Sequence, residues 1–237
     1  MRAFLLNTLQ LCLLPLLPVI IHQGKRVKKD TIRLPEASGS RTIGNRGDVS
    51  ILHIGESTVA GVGVEDINDG LTANIVKSLE TEGNIEAKAY IVGQNGSKIS
   101  DILRLPMVDE RIDVLVITLG VNDTVGLTPE KKWRFRIDQC VEKFGRSPAR
   151  IFITEVPDMT KFPALPAPLS WFLGVRAKML NLVLKDLCQQ KGWYFISSNT
   201  PITTDWMAID GYHPNGKGYQ AWGAAVGEII GKELSNR

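Results

Sequence analysis

Three side chains suited to nucleophilic catalysis lie far apart in the sequence. Ser57 follows an apolar run within a Gly-Glu-Ser stretch, residues 55–57. Asp210 and His213 stand near the C-terminus in the stretch Asp-Gly-Tyr-His-Pro. A serine nucleophile needs a base that takes its proton, and the base needs a carboxylate that orients it. The residue types for this chemistry are therefore present, provided that the fold brings the two stretches together.

Two further loops offer donors for the negative charge that develops when a serine attacks a carbonyl group. Residues 94–97 read Gln-Asn-Gly-Ser and include Gly96, and residues 120–123 read Gly-Val-Asn-Asp and include Asn122. Backbone N–H groups and Asn side chains are typical donors of an oxyanion hole. Asp123 is instead expected to shape its own turn, because Asx side chains hydrogen-bond to nearby backbone groups.

Other interpretations of the loop around Ser57 fit its residues less well. A phosphate-binding P-loop requires Gly-Lys-Ser/Thr at the start of a helix, and this loop lacks it. A dinucleotide-binding loop requires Gly-x-Gly-x-x-Gly, whereas Gly61 and Gly63 are followed by Val-Glu-Asp. Taken alone, Ser57 would more often be a turn serine, and it is the other three loops that favour a nucleophile. His53 lies inside the preceding apolar run and is expected to be a packed strand residue.

Strand and helix patterns alternate from Val49 onward and determine where these loops lie. Continuous apolar strands such as Val-Leu-Val-Ile-Thr are typical of a parallel sheet that is buried on both faces. The alternation predicts an α/β fold, a three-layer α/β/α sandwich with right-handed crossovers, in which ligands bind at the carboxyl ends of the strands. Thr128 and Pro129 are expected to cap and begin one helix. The candidate strands are 50–54, 86–92, 114–118, 151–156 and 193–197, and the candidate helices are 70–82, 100–105, 129–144, 169–190 and 216–234.

The four loops together resemble the sequence blocks of the SGNH (GDSL-type) hydrolases. Those blocks are, in order, Gly-Asp-Ser followed by a Gly, a lone Gly, Gly-x-Asn-Asp and Asp-x-x-His. The matches are residues 55–57, Gly96, residues 120–123 and residues 210–213, and the resemblance covers about residues 49–230. One departure is Glu56, which replaces the family's Asp beside the nucleophile and adds one methylene group.

The resemblance implies a flavodoxin-like sandwich with a five-stranded parallel sheet and an esterase or lipase-like activity on carboxylic esters. Ser57 would attack the ester carbonyl, His213 would pass the proton to the leaving alcohol, and Asp210 would hold the imidazole. The oxyanion hole would consist of the backbone N–H groups of Ser57 and Gly96 and the side-chain amide of Asn122. The resemblance implies neither a cofactor nor a metal ion. An acyltransferase, a carbohydrate O-deacetylase with the same triad, and a non-catalytic binding domain on this fold remain alternatives.

The N-terminal segment differs in composition from the rest of the chain. Residues 3–21 are almost wholly apolar. A cleaved signal peptide is the rival interpretation, but no small-x-small cleavage site follows these residues. A membrane-spanning helix needs about 20 such residues, with a lower limit near 17. We therefore expect residues 1–24 to be a hydrophobic membrane anchor, residues 25–48 a basic linker and residues 49–237 the hydrolase domain. The basic flank predicts a domain on the cytoplasmic side, and an apolar helix that packs on the domain is the alternative.

Charge and cysteine content exclude several other classes of protein. The formal net charge is +3, but seven Lys/Arg residues lie within residues 25–46, so the domain that follows is slightly acidic. A nucleic-acid-binding domain would carry its basic cluster on the folded domain. The three cysteines are widely spaced and form no Cys-x-x-Cys pair, so neither a disulfide framework nor a zinc site is indicated, and buried thiols are expected. The expected partner is a small-molecule or lipid ester, and the composition indicates no oligomeric state.

Overall fold

A six-stranded sheet forms the centre of the computed structural model, which describes residues 2–44, 47–145, 150–197 and 202–236. The strands are β1 (Thr42–Ile43), β2 (Val49–Gly55), β3 (Ala87–Gly93), β4 (Val114–Thr118), β5 (Arg150–Thr154) and β6 (Tyr194–Ile196). Their order in the sheet is β1-β3-β2-β4-β5-β6. Strands β2 to β6 run parallel, and β1 pairs antiparallel with β3 at one edge.

Helices cover both faces of the sheet, so that the strands bury side chains on each side. Every residue of β4 is buried. Leu115 and Ile117 belong to one hydrophobic core, and Val114 and Val116 belong to a second one on the opposite face. This alternation follows from the two-residue repeat of a strand. The helices are α1 (Arg2–Cys12), α2 (Leu17–Asp30), α3 (Leu71–Thr81), α4 (Ile99–Ile102), α5 (Val121–Val125), α6 (Glu130–Phe144), α7 (Leu169–Lys191) and α8 (Gly216–Ser235).

The predicted three-layer sandwich with five parallel strands is confirmed. The sheet gains the short strand β1, which lies in the segment predicted to be a linker and buries Ile43. The short helix α5 was not predicted, because five residues are too few to show a helical repeat. The predicted cap of α6 is wrong: Pro129 takes the N-cap position without a capping side chain, and Thr128 Oγ1 donates instead to Asp123 Oδ1 over 2.7 Å.

The N-terminal apolar segment forms two helices rather than one. A short 3-10 turn (Leu14–Leu16) separates α1 from α2, beside Pro15 and Pro18, and α2 continues across the predicted boundary at residue 24. Both helices contact α7, and Ile20 joins the core. Among the described residues, no helix combines the length and the apolar character needed to cross a membrane. Of the three thiols, Cys12 on α1 is exposed, whereas the other two are buried as expected.

The C-terminal helix α8 packs closely on α3. A Cβ atom at Gly223 would lie 2.4 Å from Asn74 Cβ, and one at Gly227 would lie 2.6 Å from Ser78 Cβ. Such distances leave room for glycine alone, so the two helix backbones approach at these positions. Ser78 Oγ also donates to Ala224 O over 3.2 Å. This contact holds the middle of α8 on α3, and the same helix begins directly after the loop that contains His213.

Candidate active site

The structure brings Ser57, His213 and Asp210 together at the carboxyl edge of the sheet. Ser57 lies just beyond β2, and its Oγ is 2.8 Å from His213 Nε2. His213 Nδ1 is 2.5 Å from Asp210 Oδ2. The three groups therefore form one continuous hydrogen-bonded chain from a hydroxyl through an imidazole to a carboxylate.

Asp210 is held by the same short loop that carries His213. Its Oδ1 accepts the backbone N–H groups of Tyr212 over 2.9 Å and of His213 over 3.0 Å. Burial alone would raise the pKa of Asp210, but the hydrogen bonds from the side chain and backbone of His213 and from Tyr212 lower the pKa below its ordinary value. Asp210 is therefore ionised at neutral pH, as an orienting carboxylate must be.

The N-terminus of α8 anchors the loop of His213. Asn215 caps the helix by accepting the N–H groups of Lys217 and Gly218, and its Nδ2 donates to Asp205 O over 2.9 Å. Tyr219 Oη donates to Val62 O over 2.6 Å, which ties α8 to the loop after Ser57. Two elements that meet at the site are thereby joined to each other as well as to the sheet.

Gly63 permits the loop of Ser57 and the loop of His213 to touch. Its φ is +107°, and a Cβ atom at this position would lie 2.2 Å from Pro214 O and 3.3 Å from His213 Cβ. Any larger residue would push the two loops apart. The role of this glycine is therefore to allow contact between the two loops.

Asn122 lies beside the site at the start of α5, but its side-chain amide already has two acceptors. Nδ2 donates to Glu56 Oε2 over 2.6 Å and to Ser97 O over 3.2 Å. The same carboxylate accepts the N–H groups of Val121 over 2.8 Å and of Asn122 over 3.0 Å. The replacement of the family's Asp by Glu56 thus produces a carboxylate bound by three donors of α5.

Burial dominates the titration of Glu56. The side chain is 3% exposed. Burial raises the pKa of Glu56 to about 7, against the hydrogen bonds from Asn122 and Val121, which act in the opposite direction. The nearby charge of Asp123 raises it further.

The two backbone N–H groups that the sequence predicts as oxyanion-hole donors, those of Ser57 and Gly96, differ from the Asn122 amide. Gly96 has a φ of +74°, in the region that favours glycine, and a Cβ atom there would meet nothing within 4 Å. Conformation, rather than crowding, is thus the reason for glycine at this position. Within the described ranges, the N–H groups of Ser57 and Gly96 have no backbone acceptor, so they are available to a substrate oxygen.

His53 takes the packed strand position expected of it, whereas the expectation that the Asp123 side chain shapes its own turn is wrong. His53 is fully buried between two hydroxyl groups, with Nδ1 2.9 Å from Thr72 Oγ1 and Nε2 2.9 Å from Thr118 Oγ1. Burial lowers the pKa of His53 to about 3, so the ring is neutral. Asp123 accepts Ile99 N–H over 2.9 Å in addition to the Thr128 hydroxyl, and it fixes α4 and the end of α5.

A largely apolar cleft, partly open to solvent, leads to Ser57 and His213. Most of its lining positions were not predicted from the sequence, because they come from loops with no shared pattern. The cap Asn215 was missed as well, although an Asn before a Gly-rich helix start is a recognisable signal. In the described part of the chain, no cluster of three His, Cys, Asp or Glu side chains is arranged to hold a metal ion. The apolar lining consists chiefly of Leu119, Pro157, Phe162, Ile202, Trp206, Met207, Tyr212 and Trp222.

Comparison with known protein families identifies the chain. The model of the GDSL-like lipase/acylhydrolase family matches residues 53–221, which include all four loops of the site. The chain belongs to this family of ester hydrolases. A comparison with curated proteins found no significant match.

Several solved structures share this GDSL-like hydrolase fold, and each aligns with the chain over nearly the whole of its own length. A lipase/acylhydrolase from Enterococcus faecalis is 20% identical, with 78% of this chain and 96% of that chain covered and a TM-score of 0.63. The psychrotrophic esterase EstA from Pseudoalteromonas sp. is 19% identical, with 80% and 100% covered and a TM-score of 0.62. Est24, a carbohydrate acetylesterase from Sinorhizobium meliloti, is 18% identical, with 78% and 100% covered and a TM-score of 0.55. At these identities the likeness establishes the fold.

Proposed function

We propose that this GDSL-like protein is a serine-dependent carboxylic ester hydrolase. The observation that carries the proposal is the continuous chain of contacts from Ser57 Oγ to His213 Nε2, 2.8 Å, and from His213 Nδ1 to Asp210 Oδ2, 2.5 Å. Because the Asp210 carboxylate accepts the Nδ1 proton, Nε2 is left as the acceptor that faces the hydroxyl.

The reaction proceeds through an acyl-enzyme. Ser57 Oγ attacks the carbonyl carbon of the ester while its proton passes to His213 Nε2. The carbonyl oxygen becomes an oxyanion that accepts hydrogen bonds from the N–H groups of Ser57 and Gly96 and from the Asn122 amide. When the intermediate collapses, His213 returns the proton to the departing alkoxide. A water molecule then repeats the sequence on the acyl-serine, releasing the carboxylic acid and restoring the Ser57 hydroxyl.

The cleft favours an ester with an apolar acyl or aryl group. Its lining is dominated by aliphatic and aromatic side chains, and among the described residues that line it Glu155 is a second carboxylate besides Glu56. Burial of apolar substrate surface contributes about 25 cal/mol per Å². We therefore expect kcat/KM for aryl esters to rise as the acyl chain lengthens from acetyl, until the cleft is filled.

Labelling with a fluorophosphonate tests the proposal directly. We expect one phosphonyl group per chain, attached to Ser57, and no labelling of Ser57→Ala. Ser170→Ala removes a similarly buried serine from α7 and is expected to label like the parent chain. A folded parent protein that stays unlabelled and inactive towards all esters of the series would contradict the proposed function.

We also propose that the N-terminal helices contact an anionic lipid surface, with the domain on the cytoplasmic side. Exposed basic residues of α2, among them Lys25, Lys28 and Lys29, follow the apolar segment, and each contributes about 1 kcal/mol near anionic lipid. A hollow between α2 and the loop of Asp210 places Val19 close to Ile209, which is 79% exposed. Lipid would thus lie near the loop that carries the catalytic carboxylate. Among the described side chains of the segment, the large exposed apolar ones are Leu5, Leu9, Leu11, Leu14, Leu16, Leu17, Val19 and Ile21.

Cosedimentation with vesicles tests this contact. We expect binding to vesicles that contain phosphatidylglycerol, weaker binding to pure phosphatidylcholine, and loss of binding in Leu11→Glu/Leu14→Glu. Phe135→Glu is the matched control, because Phe135 on α6 is 62% exposed and Leu11 is 63% exposed. The lipid contact would be refuted if the paired substitution leaves vesicle binding intact. It would also be refuted if the parent protein does not bind vesicles and instead forms a dimer in size-exclusion chromatography.

A further inference from the structure

The carboxylate of Glu56 is bound by the two residues that begin α5. Oε1 accepts Val121 N–H over 2.8 Å, and Oε2 accepts both the backbone N–H of Asn122 over 3.0 Å and its Nδ2 over 2.6 Å. Both carboxylate oxygens act as acceptors in these contacts, and the 2.6 Å between Asn122 Nδ2 and Oε2 is shorter than an ordinary N–H···O bond. Glu56 therefore determines where the Asn122 side chain points.

The second N–H of the Asn122 amide is held more weakly. Nδ2 lies 3.2 Å from Ser97 O, a neutral carbonyl, against 2.6 Å from Glu56 Oε2. A primary amide carries two N–H groups, so both of them are engaged within the protein. Asn122 can therefore donate to a substrate oxygen only if one of these bonds changes partner, and the longer, neutral one is exchanged at lower cost.

We propose that Glu56 is a positioning residue of the reaction, which retains one N–H of Asn122 on its carboxylate while the other N–H turns from Ser97 O to the oxyanion. This inference rests on the proposed function. Glu56 acts through Asn122 and takes no part in proton transfer.

A double-mutant cycle between Glu56→Gln and Asn122→Ala tests the inference. Gln supplies one oxygen, and its NH2 group must face the N–H of either Val121 or Asn122. One of the contacts that hold the start of α5 is therefore lost, and the orientation of Asn122 is less firmly fixed. Loss of an oxyanion donor costs about 10²- to 10³-fold in kcat, and we expect Asn122→Ala to fall in that range and Glu56→Gln to lose about 10- to 100-fold. If Glu56 acts through Asn122, the double variant retains the kcat of Asn122→Ala within about threefold.

Two further variants separate positioning from general stability. Glu56→Asp keeps the charge and is expected to recover part of the kcat lost in Glu56→Gln, with KM little changed in both. Asp123→Asn alters a second buried carboxylate of α5, which bonds Ile99 and Thr128 rather than Asn122. Removing the Asp123 charge also lowers the pKa of Glu56 and favours its ionised form. This control is therefore expected to lower Tm while leaving kcat within about threefold of the parent, since Glu56 keeps its charge and no donor to the substrate is lost.

The outcomes distinguish this inference from the proposed function. Fluorophosphonate labelling of the parent at Ser57, together with losses in kcat that multiply in the double variant, would overturn the role of Glu56 and leave the hydrolase intact. An unlabelled parent would remove both. If Glu56→Gln does not fold, the same cycle with Glu56→Asp decides, and multiplied losses there are equally contradictory.

Discussion

Two histidines near Ser57 show how surroundings determine what one side chain can do. His53 lies four residues before Ser57 inside β2, fully buried between the hydroxyls of Thr72 and Thr118. His213 comes from a loop 156 residues away and lies between the Ser57 hydroxyl and the Asp210 carboxylate. A carboxylate stabilises the imidazolium that forms during proton transfer, whereas two neutral hydroxyls in a dry core do not. Of these two histidines, His213 has the surroundings that the proposed base requires, although it is the more distant in sequence.

The largest difference between the two histidines is expected in turnover. His213→Ala removes the proton acceptor, and kcat should fall by about 10⁴- to 10⁶-fold while the fold is retained. Steady-state hydrolysis of an aryl ester, with circular dichroism as the check on folding, measures the effect. Turnover within tenfold of the parent would exclude His213 as the base.

His53→Ala should invert that pattern. It removes the ring that contacts the Thr72 and Thr118 hydroxyls, of which Thr118 keeps its contact with Thr154 Oγ1. It also opens a cavity, and together these losses are expected to lower the free energy of unfolding by about 2–4 kcal/mol. The reacting groups remain, so kcat/KM of the folded variant should stay within about tenfold of the parent. Denaturant unfolding and ester hydrolysis on the same samples give both values. A loss of activity comparable to that of His213→Ala would end the distinction between the two sites.

The smallest effect, and the sharpest on the environment of His53, is a pH dependence of stability. Burial lowers the pKa of His53 from 6.5 to about 3. Between these values the unfolded chain binds a proton that the folded chain does not, so this residue makes stability fall as the pH decreases from about 6.5 towards 3. In His53→Gln that contribution is absent.

The free energy of unfolding of His53→Gln should therefore decrease less between pH 7 and pH 5 than that of the parent. Glu56 contributes with the opposite sign, because its pKa is raised from 4.5 to about 7 and its protonation stabilises the folded chain as the pH falls through this range. Its contribution is common to both proteins and cancels in the difference. Equal pH slopes for the parent and the variant would show that His53 is not held neutral in the fold.

Much of the architecture was predictable because it depends on local patterns. The apolar run of β4, residues 114–118, has the bounds that its sequence predicts, and the three long helices after residue 128 begin and end within one or two residues of their predicted limits. The four loops could be placed at one edge, since parallel strands end on the same side of a sheet. The roles expected of their side chains came from the resemblance to the four sequence blocks of the family.

The remainder depends on contacts between distant residues. No local signal indicates that Glu56 reaches the amides of Val121 and Asn122, or that Ser97 O occupies the second N–H of Asn122. The strand β1 has two residues, too few for a pattern, and it is defined by its pairing with β3. The composition of the N-terminal segment predicts that its apolar side chains contact either lipid or protein. Its packing on α7 depends on contacts between residues that are distant in the sequence.

The glycine contact between α3 and α8 makes the proposed chemistry sensitive to Gly223, which lies about two helical turns after the start of α8. A methyl group at Gly223 would force the helices apart, and the displaced α8 would carry the preceding loop with it. A substitution at such a site removes none of the reacting groups, but it changes their alignment. Inactive natural variants of this enzyme can therefore arise from substitutions that an inventory of the site would classify as remote.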